Sequence, residues 1–189
     1  MIDPKSIAFD IDGVVADTMS LFLDIAKNEH DIHNVRYTDI TQYLLEDCLD
    51  IEQEVILAII NKLLDGRYDA GLKPINGSID VLNRLAKKHA PVQFVTARPV
   101  PEPILKWMKN HLSVDSSQID IVATGSFEAK ADVLISRNIS WFVEDRLETC
   151  FLLNDAGINP IVFKQPWNRK KHPFREIGAW HELESMIAF

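Results

Sequence analysis

Five short runs of the chain are rich in β-branched and aromatic residues and predict β-strands. These runs are residues 6–11, 92–97, 119–124, 141–145 and 160–164. Segments with apolar residues at helical spacing separate most of the runs and predict helices. These segments are residues 78–89, 102–112, 128–137 and 146–157, with a last one at 179–188. Such alternation of strands and helices predicts an α/β fold, in which helices cover both faces of a parallel sheet.

One interval of about sixty residues, 17–76, interrupts this alternation. A helix that begins at Thr18 as its N-cap opens the interval. A second helical segment, residues 50–66, is apolar nearly all round and is therefore expected to be buried. We interpret the interval as a small helical cap, residues 17–76, above the end of the first strand. Residues 1–16 and 77–189 would then form the core.

Length, composition and charge limit the possible classes of protein. The 189 residues are 47% hydrophobic and 25% charged, which is typical of a globular protein with a sizeable core. The net charge of −8 argues against binding to polymeric nucleic acid. The longest aliphatic run, residues 55–60, is too short to cross a membrane, and no N-terminal signal pattern is present. Cys48 and Cys150 have no metal-ligand spacing and give no disulfide framework, so we expect a reduced, cytoplasmic location.

Positive charge concentrates in one segment, the basic loop of residues 164–176. It contains five basic residues and one acidic residue. Such a loop is either a solvated surface segment or a rim that attracts anions, and the choice depends on where the loop lies.

Polar side chains follow the ends of several predicted strands. In a strand, residues i and i+2 point to the same side, so Asp10 and Asp12 would converge and repel each other. Such repulsion raises a pKa or attracts a cation. The carboxyl ends of parallel strands are also where ligands bind in open α/β sheets. The side chains expected at this edge are Asp10, Asp12, Thr96, Lys130, Glu144 and Asp145.

These residues resemble a known family in their order and their spacing. The segments DIDGVVADT, FVTARP and FVEDR, together with Lys130, are similar to motifs I to IV of the haloacid-dehalogenase-like (HAD) phosphohydrolases. The resemblance spans nearly the whole chain. It implies a Rossmann-like core with strand order 5-4-1-2-3, and a helical cap after the first strand that gates the site.

The resemblance also implies how the acidic residues act. Asp10 would attack phosphorus and form an aspartyl-phosphate, while Asp12 would protonate the leaving alkoxide and later deprotonate the attacking water. Asp10, the backbone carbonyl of Asp12, and Asp145 would bind Mg²⁺, a hard cation that prefers oxygen ligands. The positive charge of the ion would offset the repulsion between the close carboxylates.

The remaining motif residues would bind phosphate or support the site. Thr96, Lys130 and Arg98 would hold phosphoryl oxygens, and Lys130 would screen Asp10 from the incoming dianion. Glu144 stands where many family members have Asp or Gly. We expect it to support the metal ligands without binding the metal itself.

A narrower resemblance concerns the substrate. The compact cap, the TARP and VEDR segments, and PWNR after the fifth strand are similar to the 5′(3′)-deoxyribonucleotidases and their bacterial relatives. This resemblance implies a small phosphomonoester substrate, a nucleoside monophosphate. Phe22 and Tyr43 of the cap are candidates for stacking on its base.

Other interpretations stay open at this point. A HAD phosphatase of sugar phosphates or other small phosphometabolites, or a mutase, would carry the same motifs with a different cap. A non-catalytic phosphate-binding or signalling protein is a further alternative. A receiver domain would need an acceptor aspartate after the third strand, where the chain reads VATG. His30 and His33 have no third metal ligand nearby, and the apolar helix at residues 55–64 is a possible homodimer contact.

Overall fold

The structure is a computed structural model that describes residues 1–68 and 71–189. Within these residues, six strands form a parallel sheet in the order β3-β2-β1-β4-β5-β6. The strands are β1 Ile7–Phe9, β2 Val92–Thr96, β3 Ile119–Ala123, β4 Trp141–Glu144, β5 Asn159–Phe163 and β6 Arg175–Ile177. The α/β fold and the strand order 5-4-1-2-3 are confirmed for the five predicted strands.

The sixth strand, β6, was not predicted. It begins inside the basic loop and pairs with β5, with Arg175 opposite Ile161 and Ile177 opposite Phe163. Only Ile177 of this strand is buried. Three residues at a sheet edge, two of them charged, give no apolar run that a sequence pattern could detect.

Seven α-helices are present among the described residues. They are α1 Thr18–His30, α2 Gln53–Leu64, α3 Ser78–His89, α4 Glu102–His111, α5 Lys130–Ser136, α6 Leu147–Asp155 and α7 Trp180–Met186. The predicted helices are confirmed, and α5 and α6 are shorter than predicted at both ends. Gly157 follows α6 in the left-handed region, with φ +84°, as expected for a residue that ends a helix.

The middle of the sheet is buried on both faces because helices cover both of them. All three residues of β1 are buried. Phe9 packs against Phe94 on β2 and Trp180 on α7, with ring centroids 5.9 and 5.5 Å apart. This packing fixes the end of β1, from which the chain passes directly to Asp10.

The N-cap of helix α1 lies one residue earlier in the chain than predicted. Asp17, not Thr18, is the N-cap, because its Oδ1 accepts a hydrogen bond from the backbone N–H of Ser20 (3.1 Å). The Thr18 hydroxyl instead donates to Asp12 Oδ1 at 2.6 Å. The residue that the sequence suggested as a helix cap therefore belongs to the cluster of polar residues beyond β1.

Helix α2 is not buried all round, as its composition suggested. It buries the face that carries Ile56, Ile59 and Leu63, whereas Leu57 is 54% exposed. These three residues have the spacing of one helical face, and only that face packs on the rest of the protein.

The chain leaves and re-enters the core at adjacent points. The N–H of Asp17 donates to the carbonyl of Lys73 (2.8 Å), and that of Ile75 donates to Val15 (2.7 Å). This pairing supports the predicted cap boundaries, although the division into cap and core stays a prediction. Residues 69 and 70 of the predicted cap lie outside the described residues. Along the described chain, no helix has both the length and the hydrophobicity needed to span a membrane.

Candidate active site

A cavity of about 260 Å³ lies beyond the carboxyl ends of β1 and β2, between the core and the predicted cap. Core side chains that line it include Asp10, Asp12 and Arg98, and α2 contributes Leu63. Asp10 directly follows β1, and its N–H still donates to the carbonyl of Val143 on β4 (2.9 Å). The sequence prediction that the two aspartates face one space is therefore confirmed.

Asp10 is buried, and only one of its two carboxylate oxygens has a partner among the described residues. Its Oδ2 lies 3.0 Å from the Lys130 ammonium. Its Oδ1 is buried and has no hydrogen-bond partner among residues 1–68 and 71–189. Burial raises the pKa of the Asp10 carboxyl well above its usual range, although Lys130 opposes this shift. A buried carboxylate oxygen without a partner is costly, so we expect it to meet a cation or a reacting atom.

Asp12 is held by two other residues. The Arg98 guanidinium donates to both of its oxygens, with Nε–Oδ2 at 2.9 Å and Nη2–Oδ1 at 2.8 Å, and Thr18 donates to Oδ1. Burial alone would raise the pKa of the Asp12 carboxyl, but Arg98 and Thr18 together lower it. Each aspartate of the pair therefore has its own cation, Lys130 for Asp10 and Arg98 for Asp12, which offsets their repulsion.

Lys130 lies fully buried between two carboxylates. Its ammonium donates to Glu144 Oε2 (2.8 Å) as well as contacting Asp10. Burial by itself would lower the pKa of Lys130, but the two carboxylates raise it. Glu144 Oε1 accepts from the backbone N–H groups of Asp145 and Arg146, both at 3.1 Å. Glu144 thus fixes both Lys130 and the turn that follows β4.

Three acidic side chains meet closely enough to hold a metal ion. Oxygens of Asp10, Glu144 and Asp145 lie within 4.8 Å of one another. Burial, with the carboxylates of Glu144 and Asp10, raises the pKa of Asp145 well above its usual range. The donor set consists entirely of carboxylate oxygens, so these residues fit a hard cation such as Mg²⁺. The Asp12 side chain is not in this cluster, and its predicted role through the backbone carbonyl stays a prediction.

Two of the three predicted phosphate-binding residues, Thr96 and Arg98, line the same cavity. Thr96 lines it, and its hydroxyl accepts from the N–H of Arg98 at 3.3 Å. Besides Asp12, Arg98 donates from Nη1 to the carbonyl of Leu63, near the end of α2 (3.2 Å). Thr96 and Arg98 therefore line the cavity, whereas Lys130 is not a lining residue and is fully buried against Asp10. The roles of all three toward phosphate stay predictions.

The two aromatic residues suggested for base stacking have different positions. Phe22 is fully buried in the core. Tyr43 lines the cavity and meets Phe127 edge to face, with ring centroids 5.6 Å apart. The Arg146 guanidinium lies over both rings, 4.2 Å from the centroid of Phe127 and 5.0 Å from that of Tyr43. Tyr43 was suggested from the sequence, whereas no sequence pattern indicated a role for Phe127 or Arg146.

The basic loop carries less free positive charge than its sequence suggests. Glu176 contacts Arg169, lies 3.4 Å from Lys164 and accepts from His172 at 2.9 Å. The start of the loop reaches the acidic cluster, because the Trp167 indole N–H donates to Asp145 Oδ2 (2.9 Å). The start of the loop therefore belongs to the site, whereas its role as a rim that attracts anions stays a prediction.

Gly13 shapes the site by lacking a side chain. It has φ +73°, and an added Cβ would lie 2.2 Å from Asp145 Oδ2. We predict that Gly13→Ala loses most of its activity and more thermal stability than Gly125→Ala. Gly125 is a matched control, because it has φ +70° but no atom within 4 Å of an added Cβ. The left-handed conformation should cost about 1 kcal/mol in both variants.

Melting temperatures and phosphate release of the two variants test this prediction. Equal losses in Gly13→Ala and Gly125→Ala would show that the close approach of Asp145 to Gly13 has no functional role.

A parallel α/β core with paired aspartates, a buried lysine and an acidic cluster below a helical insertion defines a HAD-type phosphomonoester hydrolase. Residues 4–189 match the family described as 5′ nucleotidase, deoxy (pyrimidine), cytosolic type C protein, and the chain belongs to that family. The resemblance drawn from the sequence motifs is thereby confirmed. A search of curated proteins gave no match.

Solved structures share the fold at low sequence identity. A HAD-like family hydrolase from Streptococcus pneumoniae has 12% identity and TM-score 0.63, covering 95% of this chain and 97% of its own. A HAD family hydrolase from Deinococcus radiodurans, with bound phosphate and sodium, has 16% identity and TM-score 0.60 over 95% and 93%. A predicted phosphoglycolate phosphatase from Haemophilus somnus has 14% identity and TM-score 0.59 over 96% and 97%. At these identities the similarity concerns the fold alone.

Proposed function

We propose that the protein is a Mg²⁺-dependent 5′-nucleotidase that hydrolyses (deoxy)nucleoside monophosphates through an aspartyl-phosphate on Asp10. The observation that carries this proposal is the Asp10 carboxylate, with one oxygen on Lys130 and the other buried without a partner. The family match supports a nucleotide as the substrate, and the word cytosolic in its description supports a cytoplasmic location.

In the first half of the reaction, Asp10 Oδ1 attacks phosphorus and the bond from phosphorus to the ester oxygen breaks. The ester oxygen leaves with a proton from Asp12, which lines the same cavity. Lys130 holds the other Asp10 oxygen in place and offsets its charge against the incoming dianion. Mg²⁺, when bound by Asp10 and Asp145, would supply positive charge that stabilises the phosphoryl oxygens.

In the second half, a water molecule attacks phosphorus, and its proton passes to Asp12 while the bond to Asp10 breaks. Inorganic phosphate leaves, and both aspartates regain their starting states. The contacts of Asp12 with Arg98 and Thr18 stabilise its anionic form, the form that accepts this proton. A phosphate dianion near Arg98 and Thr96 would compete with Asp12 for the guanidinium and favour the protonated Asp12 that the first half needs.

The walls of the cavity favour a nucleotide over a sugar phosphate. Apart from the polar residues near Asp10, the lining is mostly apolar and includes Tyr43, Ile60, Leu63 and Phe127. A hexose would leave hydroxyl groups without hydrogen-bond partners against such walls, which is costly. A nucleobase presents a planar face that can stack on an aromatic ring.

We predict phosphate release from nucleoside monophosphates, with deoxynucleotides favoured over hexose phosphates and phosphoglycolate. The measurement is a phosphate-release screen over a few dozen monophosphates, with Mg²⁺ and with EDTA, using Asp10→Asn protein as the blank. EDTA is expected to remove the activity.

Release from sugar phosphates or phosphoglycolate alone would contradict the nucleotide assignment and favour the HAD phosphatase of small phosphometabolites. If folded, Mg²⁺-loaded protein releases phosphate from no substrate, the proposed enzymatic activity is contradicted. That result would favour a non-catalytic phosphate-binding protein. A homodimer stays a prediction that size-exclusion chromatography with light scattering tests.

A further inference from the structure

We infer that Trp167 is a positioning residue, which holds the Asp145 carboxylate in the orientation that binds the metal ion. This inference rests on the proposed function, because it assumes that Asp145 is a metal ligand. Nothing in the motifs that define the family resemblance assigns a role to this tryptophan, which lies 22 residues from Asp145 along the chain.

The turn after β5 makes two hydrogen bonds to Asp145. The Trp167 indole donates from Nε1 to Asp145 Oδ2 at 2.9 Å. The Asn168 amide donates from Nδ2 to the Asp145 carbonyl at 2.7 Å and to the Phe163 carbonyl at 2.8 Å. Both donors belong to the single turn of 3₁₀ helix Pro166–Asn168, so one element fixes the backbone and the side chain of Asp145 together.

The Asp145 carboxylate has little freedom to turn away from this position. A Cβ on Gly13 would lie 2.2 Å from Asp145 Oδ2 and 3.2 Å from Cζ2 of the Trp167 ring. The carboxylate therefore lies between the backbone of Gly13 and the indole ring. Trp167 and Asp145 are 7% and 4% exposed, so water competes weakly for this hydrogen bond.

A tryptophan suits this position chemically. Its indole N–H is a donor with no acceptor, so it engages one carboxylate oxygen and leaves the other able to bind a cation. Donors behind a ligating carboxylate orient it, and their loss typically weakens metal binding by about 10–100-fold.

A residue of the predicted cap contacts the same turn. The Tyr37 ring lies 5.9 Å from the Trp167 ring, and its hydroxyl donates to Gln165 Oε1 at 2.9 Å. Gln165 in turn donates from Nε2 to the Gly13 carbonyl at 2.7 Å. Tyr37 thus packs on the Trp167 ring, and through Gln165 it is also linked to Gly13. Both contacts keep Trp167 in place beside Asp145.

The test compares Mn²⁺ binding to substrate-free wild-type, Trp167→Phe and Trp107→Phe proteins, by the electron paramagnetic resonance signal of free Mn²⁺. Phenylalanine keeps an aromatic ring but removes the N–H. We expect the dissociation constant of Trp167→Phe to rise about 10–100-fold. Trp107→Phe is the matched control, because Trp107 is also buried but its indole N–H donates to the Leu72 carbonyl and not to a carboxylate. Its affinity should stay at the wild-type value.

Unchanged affinity in Trp167→Phe, or an equal loss in Trp107→Phe, would overturn the inference while the metal site remains. A wild-type protein that binds no Mn²⁺ would instead overturn the metal part of the proposed function.

A second measurement uses the wild-type protein and does not depend on how the variant folds. The chain has four tryptophans, so ¹⁵N-labelled indole groups should give four N–H signals in a two-dimensional NMR spectrum. On addition of Mg²⁺, the Trp167 signal is expected to move most, because its N–H donates to the carboxylate group that binds the ion. Largest movement at Trp107, Trp141 or Trp180 would contradict the inference.

Discussion

Replacing Asp10 with asparagine is expected to abolish phosphate release while the protein remains folded. An amide neither attacks phosphorus nor binds Mg²⁺ well, so both roles proposed for Asp10 are lost. The fold should tolerate the change, because Lys130 keeps Glu144 as a partner at 2.8 Å. The variant also removes a carboxylate whose charge is disfavoured by burial, so its free energy of unfolding should not fall.

The rates of Asp10→Asn and wild type are compared on an aryl phosphate and on a nucleoside monophosphate, with melting temperatures for both proteins. Asp24→Asn, at an exposed position of α1, is the control for loss of a carboxylate elsewhere. Turnover of Asp10→Asn near the wild-type rate would exclude Asp10 as the nucleophile.

Asp12→Asn should lose about 10²–10⁴-fold in rate on alkyl phosphates, which include nucleotides. Their leaving oxygen needs the proton that Asp12 is proposed to donate. Aryl phosphates have good leaving groups, so their phosphoryl transfer to Asp10 should lose much less. Hydrolysis of the aspartyl-phosphate should still be slow in this variant, and an initial burst of phenolate is therefore expected.

A series of phosphate esters with different leaving groups tests this role of Asp12. Arg98 is buried and loses a charged partner in the variant, so the melting temperature should fall and rates should be measured well below it. Equal losses of rate across the series would show that Asp12 does not act as the acid.

The sequence predicted the residues whose places depend on local pattern. Asp10, Thr96 and Asp145 each lie at or directly after a strand end, and Lys130 begins α5. Once alternating strands and helices indicate a parallel sheet, those strand ends must meet at one edge. The convergence of the site therefore follows from the order of elements along the chain.

The contacts that the sequence did not reveal join residues far apart in the chain. Gln165 and Gly13 are 152 residues apart, and Arg98 and Asp12 are 86 apart. Their pairing depends on how the turn after β5 and the loop after β2 pack on the loop after β1. No periodicity or motif in a single sequence reports such packing.

Thr18 shows a different limit of sequence reasoning. A threonine before a helix is a normal N-cap, and only the structure shows that Asp17 caps α1 while Thr18 donates to Asp12. The apolar composition of α2 likewise suggested a buried helix, but composition does not say how many faces have a partner. Leu57 on its exposed face shows that one face packs and another does not.

Trapping the covalent intermediate tests the central claim most directly, the claim that Asp10 carries the phosphoryl group. Asp12→Asn protein is mixed with an aryl phosphate and Mg²⁺, quenched in acid during the burst, and reduced with borohydride, which converts an acyl phosphate to an alcohol. Peptide mapping by mass spectrometry then locates the modified residue. The account predicts homoserine at position 10, in an amount matching the burst and absent without substrate. A burst with Asp10 unmodified, or with the modification on another residue, would contradict it.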